Sequence, residues 1–411
     1  MRNVLPGPHG AAVLLVAATL LASTGCGPRA EDRPECSVGR STLSGIAPGS
    51  GRVLWTAQLD LTSERPLLVQ DGTAVVTAPC GAAVVDLEDG EVLHDDATPG
   101  NLVGVAGRQL FTLDETVMHD PGSIPITGFD LDSPGRGGGF STNTPYQAAT
   151  VADGSLITLY GDTLEAADES GAGPSWSTQL PPSRQPQLLP SGHSVLVSTE
   201  DGSTYALDLT DGSLGWRSVP PVPALFYSLR LTPVPGVVLT ASADYEHPRR
   251  SYVYANDAET GRLRWTRPAV SVLGADRDLT LLRTVHLVEA VDTRSGALRW
   301  RRPASKVGAR TEAQGAALSP GTVVLPQPGA PVLGLERSTG RIRWRGPETM
   351  TALKAGDVVV VTTSDGLTAL DPATGAVHWR LPVERSHQEL AVAPDGELLL
   401  LDSDLVPHLG K

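Results

Sequence analysis

The chain has 411 residues, of which 40% are hydrophobic and 19% are charged, and it contains 44 glycines and 34 prolines. This composition is too apolar for a disordered protein and too rich in turn-forming residues for a helical one. The formal charge of −14 and the absence of any run of Lys or Arg give no basic footprint for nucleic-acid phosphates, so we do not expect nucleic acid as a partner.

The first residues have the pattern of an export signal. Arg2 precedes the apolar run 11–22, which is shorter than a membrane-spanning helix and has the length of a secretory signal. Small residues lead up to Cys26 in a sequence that resembles a bacterial lipobox, although Ser23 stands where Leu is usual. The sequence therefore predicts a signal peptide over 1–25, lipidation at Cys26 and an extracytoplasmic location at a bacterial membrane. Simple secretion is the alternative.

Residues 26–50 are rich in Gly, Pro, Ser and charge, as expected of a lipidated tether between a membrane and a folded domain. If Cys26 carries lipid, Cys36 and Cys80 remain as an even pair in an oxidising compartment, where they could form a disulfide. The sequence does not say whether the two cysteines lie close enough to bond, so two free thiols are the alternative. No Cys/His set has the spacing of a zinc site.

The remaining residues, 51–411, are built from one repeat. All seven tryptophans fall in one register, and most have an acidic residue eight positions before them and a glycine four positions before them. Trp55 and Trp176 belong to incomplete copies, and two degenerate copies end at His94 and Phe140 instead of Trp. The complete copies have the acidic residues Asp208, Asp257, Asp292, Glu336 and Asp371, the glycines Gly212, Gly261, Gly296, Gly340 and Gly375, and the tryptophans Trp216, Trp265, Trp300, Trp344 and Trp379.

The spacing of this motif predicts four-stranded antiparallel blades. Successive markers lie between 35 residues (265 to 300) and 49 residues (216 to 265) apart, close to the roughly 40–45 residues of one propeller blade. The Asp side chain can accept backbone N–H groups of the turn that it begins, and the Gly supplies a positive φ. The Trp offers a large flat surface for packing between neighbouring sheets. A closed ring of such units leaves no end unprotected.

The repeat resembles that of the PQQ-like (quinoprotein-like) β-propellers, whose signature is an Ala-Leu-Asp strand, a Thr-Gly turn and a Trp strand. Residues 205–216 and 368–379 carry this signature most clearly. Together with the lipobox, the chain is similar to the BamB-type outer-membrane assembly lipoproteins, which are non-enzymatic propellers. The resemblance implies an all-β propeller of four-stranded blades. We predict eight blades, against nine by strict repeat count, with the unit that ends at Phe140 as the irregular one.

The ring is expected to close through the N-terminal strand. Trp55 has no acidic residue eight positions before it, so its strand is predicted to be the outer strand of a blade whose other strands are C-terminal. Those strands are predicted at Glu389–Val392, Glu397–Leu401 and Leu405–Leu409.

No catalytic motif is found in the sequence. Quinoprotein dehydrogenases, which have similar repeats, hold pyrroloquinoline quinone (PQQ) and calcium, but this chain lacks their adjacent-cysteine disulfide. The acidic stretches 86–91 and 402–404 do not supply the ligands of a defined calcium loop. We therefore predict no enzyme activity, no metal and no cofactor. The alternative is a quinone- and calcium-dependent oxidoreductase, or a small-ligand sensor that uses the central channel.

Loop length singles out one face of the predicted ring. In an antiparallel blade, the second hairpin and the connection between blades open on one face, while the first and third hairpins open on the other. The extra length falls in the second hairpins Glu115–Thr127 and Ala243–Arg250 and in the connections Ser218–Tyr227 and Pro303–Gln314. We therefore predict a monomeric, membrane-anchored propeller that binds a protein or an envelope polymer on this face. The candidate binding residues, of types enriched at protein interfaces, are Tyr227, Tyr245, His247, Arg249 and Arg250.

Overall fold

The computed structural model of the protein describes seventeen stretches of the chain. They are residues 40–61, 67–70, 72–78, 81–96, 101–106, 109–113, 126–130, 137–142, 148–167, 174–183, 186–199, 201–220, 229–242, 247–306, 315–349, 351–383 and 387–403. The predicted signal peptide, Cys26, Cys36, Cys80, Tyr227 and Tyr245 lie outside the described residues.

The described residues form an all-β structure of nine antiparallel sheets in chain order. We call the sheets blades 1 to 8 and the closing blade. Blade 1 contains β3 (Leu68–Gln70), β4 (Thr73–Ala78), β5 (Gly81–Asp86) and β6 (Val92–Asp96), and blade 2 contains β7 (Asn101–Ala106), β8 (Gln109–Leu113), β9 (Ile126–Asp130) and β10 (Gly137–Thr142). Blade 3 contains β11 (Ala148–Ala152), β12 (Ser155–Tyr160), β13 (Thr163–Ala167) and β14 (Pro174–Gln179), and blade 4 contains β15 (Gln187–Ser191), β16 (Ser194–Ser198), β17 (Thr204–Asp208) and β18 (Leu214–Ser218).

The second half of the ring contains blades 5 to 8 and the closing blade. Their strands are β19 (Leu229–Val234), β20 (Val237–Ser242), β21 (Tyr252–Asp257), β22 (Leu263–Pro268); β23 (Ser271–Ala275), β24 (Leu279–Arg283), β25 (Leu287–Asp292), β26 (Leu298–Pro303); β27 (Ala317–Leu318), β28 (Thr322–Glu336), β29 (Ile342–Thr349); β30 (Ala352–Ala355), β31 (Val358–Thr363), β32 (Gly366–Leu370), β33 (Val377–Pro382); and β34 (His387–Val392), β35 (Leu398–Ser403), β1 (Ser41–Ile46), β2 (Val53–Leu59).

The prediction of an all-β propeller with eight four-stranded blades is confirmed. The ninth unit of the strict repeat count corresponds to blade 7, a three-stranded sheet that ends in the Trp344 strand. Its 15-residue strand β28 pairs first with β27 and then with β29, so it takes the place of two strands. The irregular sheet is therefore blade 7, and the unit that ends at Phe140 forms the four-stranded blade 2.

The prediction that an N-terminal strand closes the ring is confirmed, with one correction. The closing blade has the order β2-β1-β35-β34, so the N-terminus supplies two strands instead of one. Its third strand is β1, which pairs with both β2 and β35, whereas Leu405–Leu409 lies outside the described residues. The predicted tether over 26–50 therefore includes a propeller strand, Ser41–Ile46.

The core lies between neighbouring blades rather than within any single sheet. Leu43 and Leu399 of the closing blade, for example, are fully buried against Val76 and Val85 of blade 1. The innermost strands contact one another from blade 1 to blade 5 and again from blade 6 to the closing blade, whereas β23 of blade 6 contacts β20 and β21 of blade 5. Because each sheet buries both faces against its neighbours, the units stabilise one another only as a ring.

Regular helix is confined to two 3-10 turns in the described residues, Pro248–Arg250 and Ala304–Lys306. The part of the chain that the structure describes contains no helix with the length and apolar character needed to cross a membrane.

Candidate binding surface

The repeat motif joins each blade to the next one. At seven seams of the ring, a glycine of one blade lies against the tryptophan ring of the preceding blade, and an added Cβ would collide with that ring; on Gly212, for example, it would lie 2.3 Å from Trp176. These glycines all have positive φ, as predicted. The pairs are Trp55 with Gly90, Trp176 with Gly212, Trp216 with Gly261, Trp265 with Gly296, Trp300 with Gly340, Trp344 with Gly375, and Trp379 with Gly51.

The motif glycines have a second role that corrects the sequence-based interpretation. The repeat pattern assigns Gly296, Gly340 and Gly375 only the positive φ of a hairpin turn, and their φ values are +67°, +67° and +73°. In the structure, a Cβ on any of these three glycines would also lie 2.5 or 2.6 Å from a tryptophan ring of the preceding blade. The glycines are therefore contacts between blades as well as turn residues.

At six of these seams, the indole N–H group adds a hydrogen bond to the next blade. Trp216 donates to the backbone carbonyl of Ala258, one residue after the motif acid Asp257 of the next blade, at 3.0 Å. Trp176, Trp265, Trp300 and Trp344 donate to the equivalent carbonyls of Leu209, Thr293, Arg337 and Pro372, and Trp379 donates to Pro48. A buried indole needs such an acceptor, so the motif spacing encodes contacts between blades.

The motif acids shape the turn between the third and fourth strands. Asp208 accepts the N–H of Thr210 at 2.8 Å, and Asp292 accepts the N–H of Ser295 at 2.9 Å, as the sequence predicts. Asp292 also accepts a hydrogen bond from Arg299, and this bond lowers the pKa of Asp292 to about 2. The acids therefore act in local turn structure.

A small residue lies opposite each tryptophan on the neighbouring third strand. Ala166, Ala206, Ala255, Ala290 and Ala369 pair with Trp176, Trp216, Trp265, Trp300 and Trp379, and Gly45 and Gly334 pair with Trp55 and Trp344. Blade 1 has Val84 at this position, opposite the buried His94. The larger Val84 therefore accompanies the replacement of Trp by His.

These contacts place the motif residues in the framework of the ring. Trp176, Trp216, Trp265 and Trp300 are buried, whereas Trp55, Trp344 and Trp379 are half-buried. The turns that the motif forms share one face of the ring with the first hairpins. We call this the turn face.

The opposite face, which we call the loop face, carries the second hairpins and the connections between blades. The strand pairs that the four longer segments connect, β8 with β9, β18 with β19, β20 with β21 and β26 with β27, all have their connected ends at this face. Ser41 pairs with Ser403, so β1 begins and β35 ends at this face as well.

The described part of the predicted binding loop lies between β20 and β21. His247, Arg249 and Arg250 are exposed, and residues 248–250 form a 3-10 turn closed by a bond from the Ser251 N–H to the Pro248 carbonyl. The structure thus brings three of the five candidate residues together at one exposed corner. Their role in binding stays a prediction.

A half-buried carboxyl group lies at the seam between the closing blade and blade 1. Glu389 of β34 accepts the backbone N–H of Leu67 at 2.8 Å, and burial raises its pKa to about 7. Because Leu67 directly precedes β3, this bond joins the innermost strands of the two blades. Glu389 is absent from the sequence-predicted site because nothing in its local sequence marks it as half-buried.

Within the described residues, no three His, Cys, Asp or Glu side chains are placed to hold a metal ion. The acidic stretch after β5 makes turn bonds: Asp86 accepts the N–H of Glu88 at 2.7 Å, and Asp89 accepts that of Glu91 at 2.9 Å.

Comparison with known families places the chain among the propellers. The family model described as "Outer membrane protein assembly factor BamB" matches residues 126–278, 232–351 and 284–407, which together cover more than half of the chain. The chain belongs to this family. The resemblance drawn from the Asp-Gly-Trp repeat is thereby confirmed.

Known relatives of this family member differ in function. Quinohemoprotein alcohol dehydrogenase ADH IIB of Pseudomonas putida is 38% identical over 76 residues, which are 18% of this chain and 11% of that enzyme. Among solved structures, BamB from Moraxella catarrhalis has a TM-score of 0.46 at 15% identity, covering 82% of this chain and 95% of that one. A eukaryotic initiation factor has a TM-score of 0.54 at 11% identity, covering 88% and 98%, and shares the fold.

Proposed function

We propose that the protein is a non-catalytic, membrane-anchored propeller outside the cytoplasm that binds a protein or an envelope polymer through its loop face. The main support for this proposal is the strand order. The longer segments connect strands at one face, and the motif residues that join neighbouring blades lie at the other. Loops on a rigid scaffold are free to vary for binding, whereas the turn-face glycines are held against tryptophan rings. The family match to an assembly factor supports the same role.

The anchor belongs to the same proposal. Because β1 begins at Ser41 on the loop face, a tether that starts at a lipidated Cys26 would leave the ring from this face and hold it towards the membrane. Cys26→Ser should release the protein into the soluble fraction. Wild-type protein that is already soluble and carries no acyl mass would exclude the anchor.

A disulfide between Cys36 and Cys80 would fix the tether to the ring. Cys36 precedes β1 of the closing blade, and Cys80 lies between β4 and β5 of the adjacent blade 1, where the second hairpin opens on the same face. Mass analysis after alkylation without reduction tests this bond. Two labelled cysteines would rule it out.

The binding face is tested by crosslinking in membranes. A photoreactive residue at Arg249 on the loop face should capture a partner, whereas the same residue at Arg294 in the turn between β25 and β26 should not. Both positions are exposed arginines in hairpins, so they differ chiefly in the face that they occupy. Capture from position 294 alone would exclude the loop face as the binding surface.

The second candidate is a quinone- and calcium-dependent oxidoreductase, favoured by the 76-residue match to a quinohemoprotein dehydrogenase. Incubation with PQQ and calcium followed by a visible absorption spectrum separates the two. A bound chromophore together with alcohol oxidation would replace the scaffold proposal.

A further inference from the structure

Three consecutive outer strands repeat the same pair of exposed side chains. An aliphatic residue lies two positions before the tryptophan, and an arginine lies one position after it. In β26, β29 and β33, the aliphatic residues Leu298, Ile342 and Val377 are 43%, 39% and 42% exposed, and the arginines are also exposed. We call these pairs the basic strip: Leu298 with Arg301, Ile342 with Arg345, and Val377 with Arg380.

The strip arginines carry charges that the ring does not neutralise. Within the described part of the chain, the side chains of Arg301, Arg345 and Arg380 make no ion pair or hydrogen bond. The arginines one position before the tryptophans differ, because Arg264, Arg299 and Arg343 bind the motif acids Asp257, Asp292 and Glu336. The three strip arginines, whose side chains have no described partner, therefore all lie one position after a tryptophan.

Other blades lack this combination. Blade 4 has Leu214 and Arg217, but Arg217 lies over the ring of Tyr205 at 5.3 Å and 4.0 Å from Asp201. Blade 5 has Thr266 after its tryptophan, the closing blade has Thr56, and blade 1 has Asp95 at the equivalent position. The strip is therefore a local feature of blades 6, 7 and 8.

The strands that carry the basic strip have a positive local charge, whereas the whole protein is negatively charged. The strands β26, β29 and β33 contain six arginines and one acidic residue, Glu348, in a chain whose net charge is −14. Two of the six, Arg299 and Arg343, are paired with motif acids, which leaves four arginines against Glu348. By contrast, β6 on blade 1 contains Asp95 and Asp96 and no arginine. Because opposite charge recruits a partner and like charge repels it, the strip favours an anionic ligand.

Two features favour a polypeptide over a phosphate polymer. Each strip strand is the outermost of its sheet, so the described structure leaves its outer row of N–H and C=O groups unpaired with another strand. A polypeptide that crosses the three strand edges has backbone N–H and C=O groups of its own that can pair with them. The exposed aliphatic side chains offer apolar contacts beside each charge, which a polyphosphate chain cannot use.

We propose that the basic strip binds an extended segment of a partner protein in which Asp or Glu residues alternate with aliphatic ones. The carboxylates would pair with Arg301, Arg345 and Arg380, whose guanidinium forks match carboxylate geometry. The aliphatic side chains would cover Leu298, Ile342 and Val377. This surface is on the rim of the ring and does not depend on the loop face.

The test uses the full-length protein and a fluorescent peptide of Glu, Leu and Gly residues, with binding followed by anisotropy at physiological salt. The triple variant Arg301→Ala/Arg345→Ala/Arg380→Ala should lower the affinity about ten-fold, since three exposed ion pairs are lost. The matched control, Arg264→Ala/Arg299→Ala/Arg343→Ala, removes the same charge from positions already paired with motif acids and should change affinity less than about two-fold. Thermal melting of both variants confirms that the ring is folded.

Several results would overturn the proposal. Equal losses in the two triple variants would mean that the peptide responds to net charge rather than to the strip. Strip-dependent binding of polyphosphate or of anionic lipid vesicles without binding of the peptide would identify a different ligand class. Strip-dependent self-association in sedimentation experiments, lost when Asp95 is replaced by Ala, would show that a second copy of the chain occupies the strip.

Discussion

At the scale of single residues, the side chain opposite each tryptophan limits the size of the side chain that the outer strand can have at that position. Ala206 is 2% exposed and faces Trp216 directly across the strand pair, whereas Val84 faces His94 in blade 1. Interiors are close-packed, so two added methyl groups must displace a neighbour. In blade 1, Val84 therefore leaves less room on the outer strand for a tryptophan ring, and this copy of the motif has His94 there.

The first prediction follows from this pair. Ala206→Val should lower the free energy of unfolding by about 1–3 kcal/mol, because the larger side chain meets the Trp216 ring. Urea unfolding measures the loss. The double variant Ala206→Val/Trp216→His, which copies blade 1, should lose less than the sum of the two single changes. Full additivity would show that the two side chains are not coupled.

The second prediction concerns the half-buried carboxyl group of Glu389. Its folded-state pKa of about 7 lies above the ordinary value of 4.5, so the folded protein holds a proton that the unfolded chain releases. The stability that this proton contributes is present below about pH 4.5 and is lost as the pH rises through 7. Urea unfolding should therefore find Glu389→Gln more stable than the wild type at pH 8 and equally stable at pH 4.

Asp292 gives a control of opposite sign for this pH dependence. Its pKa of about 2, lowered by the bond from Arg299, lies below the ordinary value of 3.8. Its contribution is therefore present above about pH 3.8 and is lost as the pH falls towards 2. Asp292→Asn should lose stability at neutral pH and not at pH 2. If the stability of the Glu389→Gln variant varied with pH as that of the wild type does, the carboxyl group of Glu389 would be solvated.

At the scale of elements, the turns that carry the motif glycines are constrained twice. Gly212 has φ +69° and also lies against the Trp176 ring, whereas Gly236, in the first hairpin of blade 5, has φ +78° and open space around it. Backbone strain alone acts at Gly236, and strain plus a collision acts at Gly212. The pair therefore separates the two contributions.

The third prediction uses this pair of glycines. Gly236→Ala should cost about 1–2 kcal/mol through the left-handed backbone conformation alone. Gly212→Ala should cost about 1–3 kcal/mol more, because its Cβ meets the tryptophan ring of the preceding blade. Thermal or urea melting compares the two variants. Equal losses of stability in the two variants would show that the Trp176 ring moves aside at no cost in free energy.

The sequence predicts the turns and the tryptophan slot well because their chemistry is local. Asp292 forms hydrogen bonds within its own hairpin, so the turn does not depend on the neighbouring blades. The cross-blade partners of each tryptophan are not local, since Gly261 follows Trp216 by 45 residues, about the length of one blade. Arg301, Arg345 and Arg380 share one offset from the tryptophans, a signal that the whole-chain charge of −14 conceals.

At the scale of the whole molecule, the ring depends on β1. Leu43 and Ile46 in this strand are fully buried, and they contribute to the cores on the two opposite sides of the closing blade. Sequence reasoning missed this strand because its tryptophan lies only in β2. The Gly- and Ser-containing sequence of residues 41–50 is similar in composition to a tether.

The fourth prediction tests closure by deletion. Under reducing conditions, which remove any Cys36–Cys80 bond, a chain that lacks residues 1–39 should melt like the mature protein, because β1 is intact. Removal of residues 1–46 takes away two buried aliphatic side chains, each stabilising by about 1.5–3 kcal/mol, and exposes the faces that they cover. We expect a lower and broader melting transition by calorimetry. Identical melting of the two chains would show that the ring closes without β1.

The most direct test of the functional account is hydrogen exchange on the protein with and without the partner captured at Arg249. Binding to the loop face predicts slower exchange in 247–251 and in 284–286, the second hairpins of blades 5 and 6. The turns 258–262 and 293–297 of the same blades should exchange at unchanged rates. Protection confined to those turns, with none in the second hairpins, would contradict the assignment of the loop face.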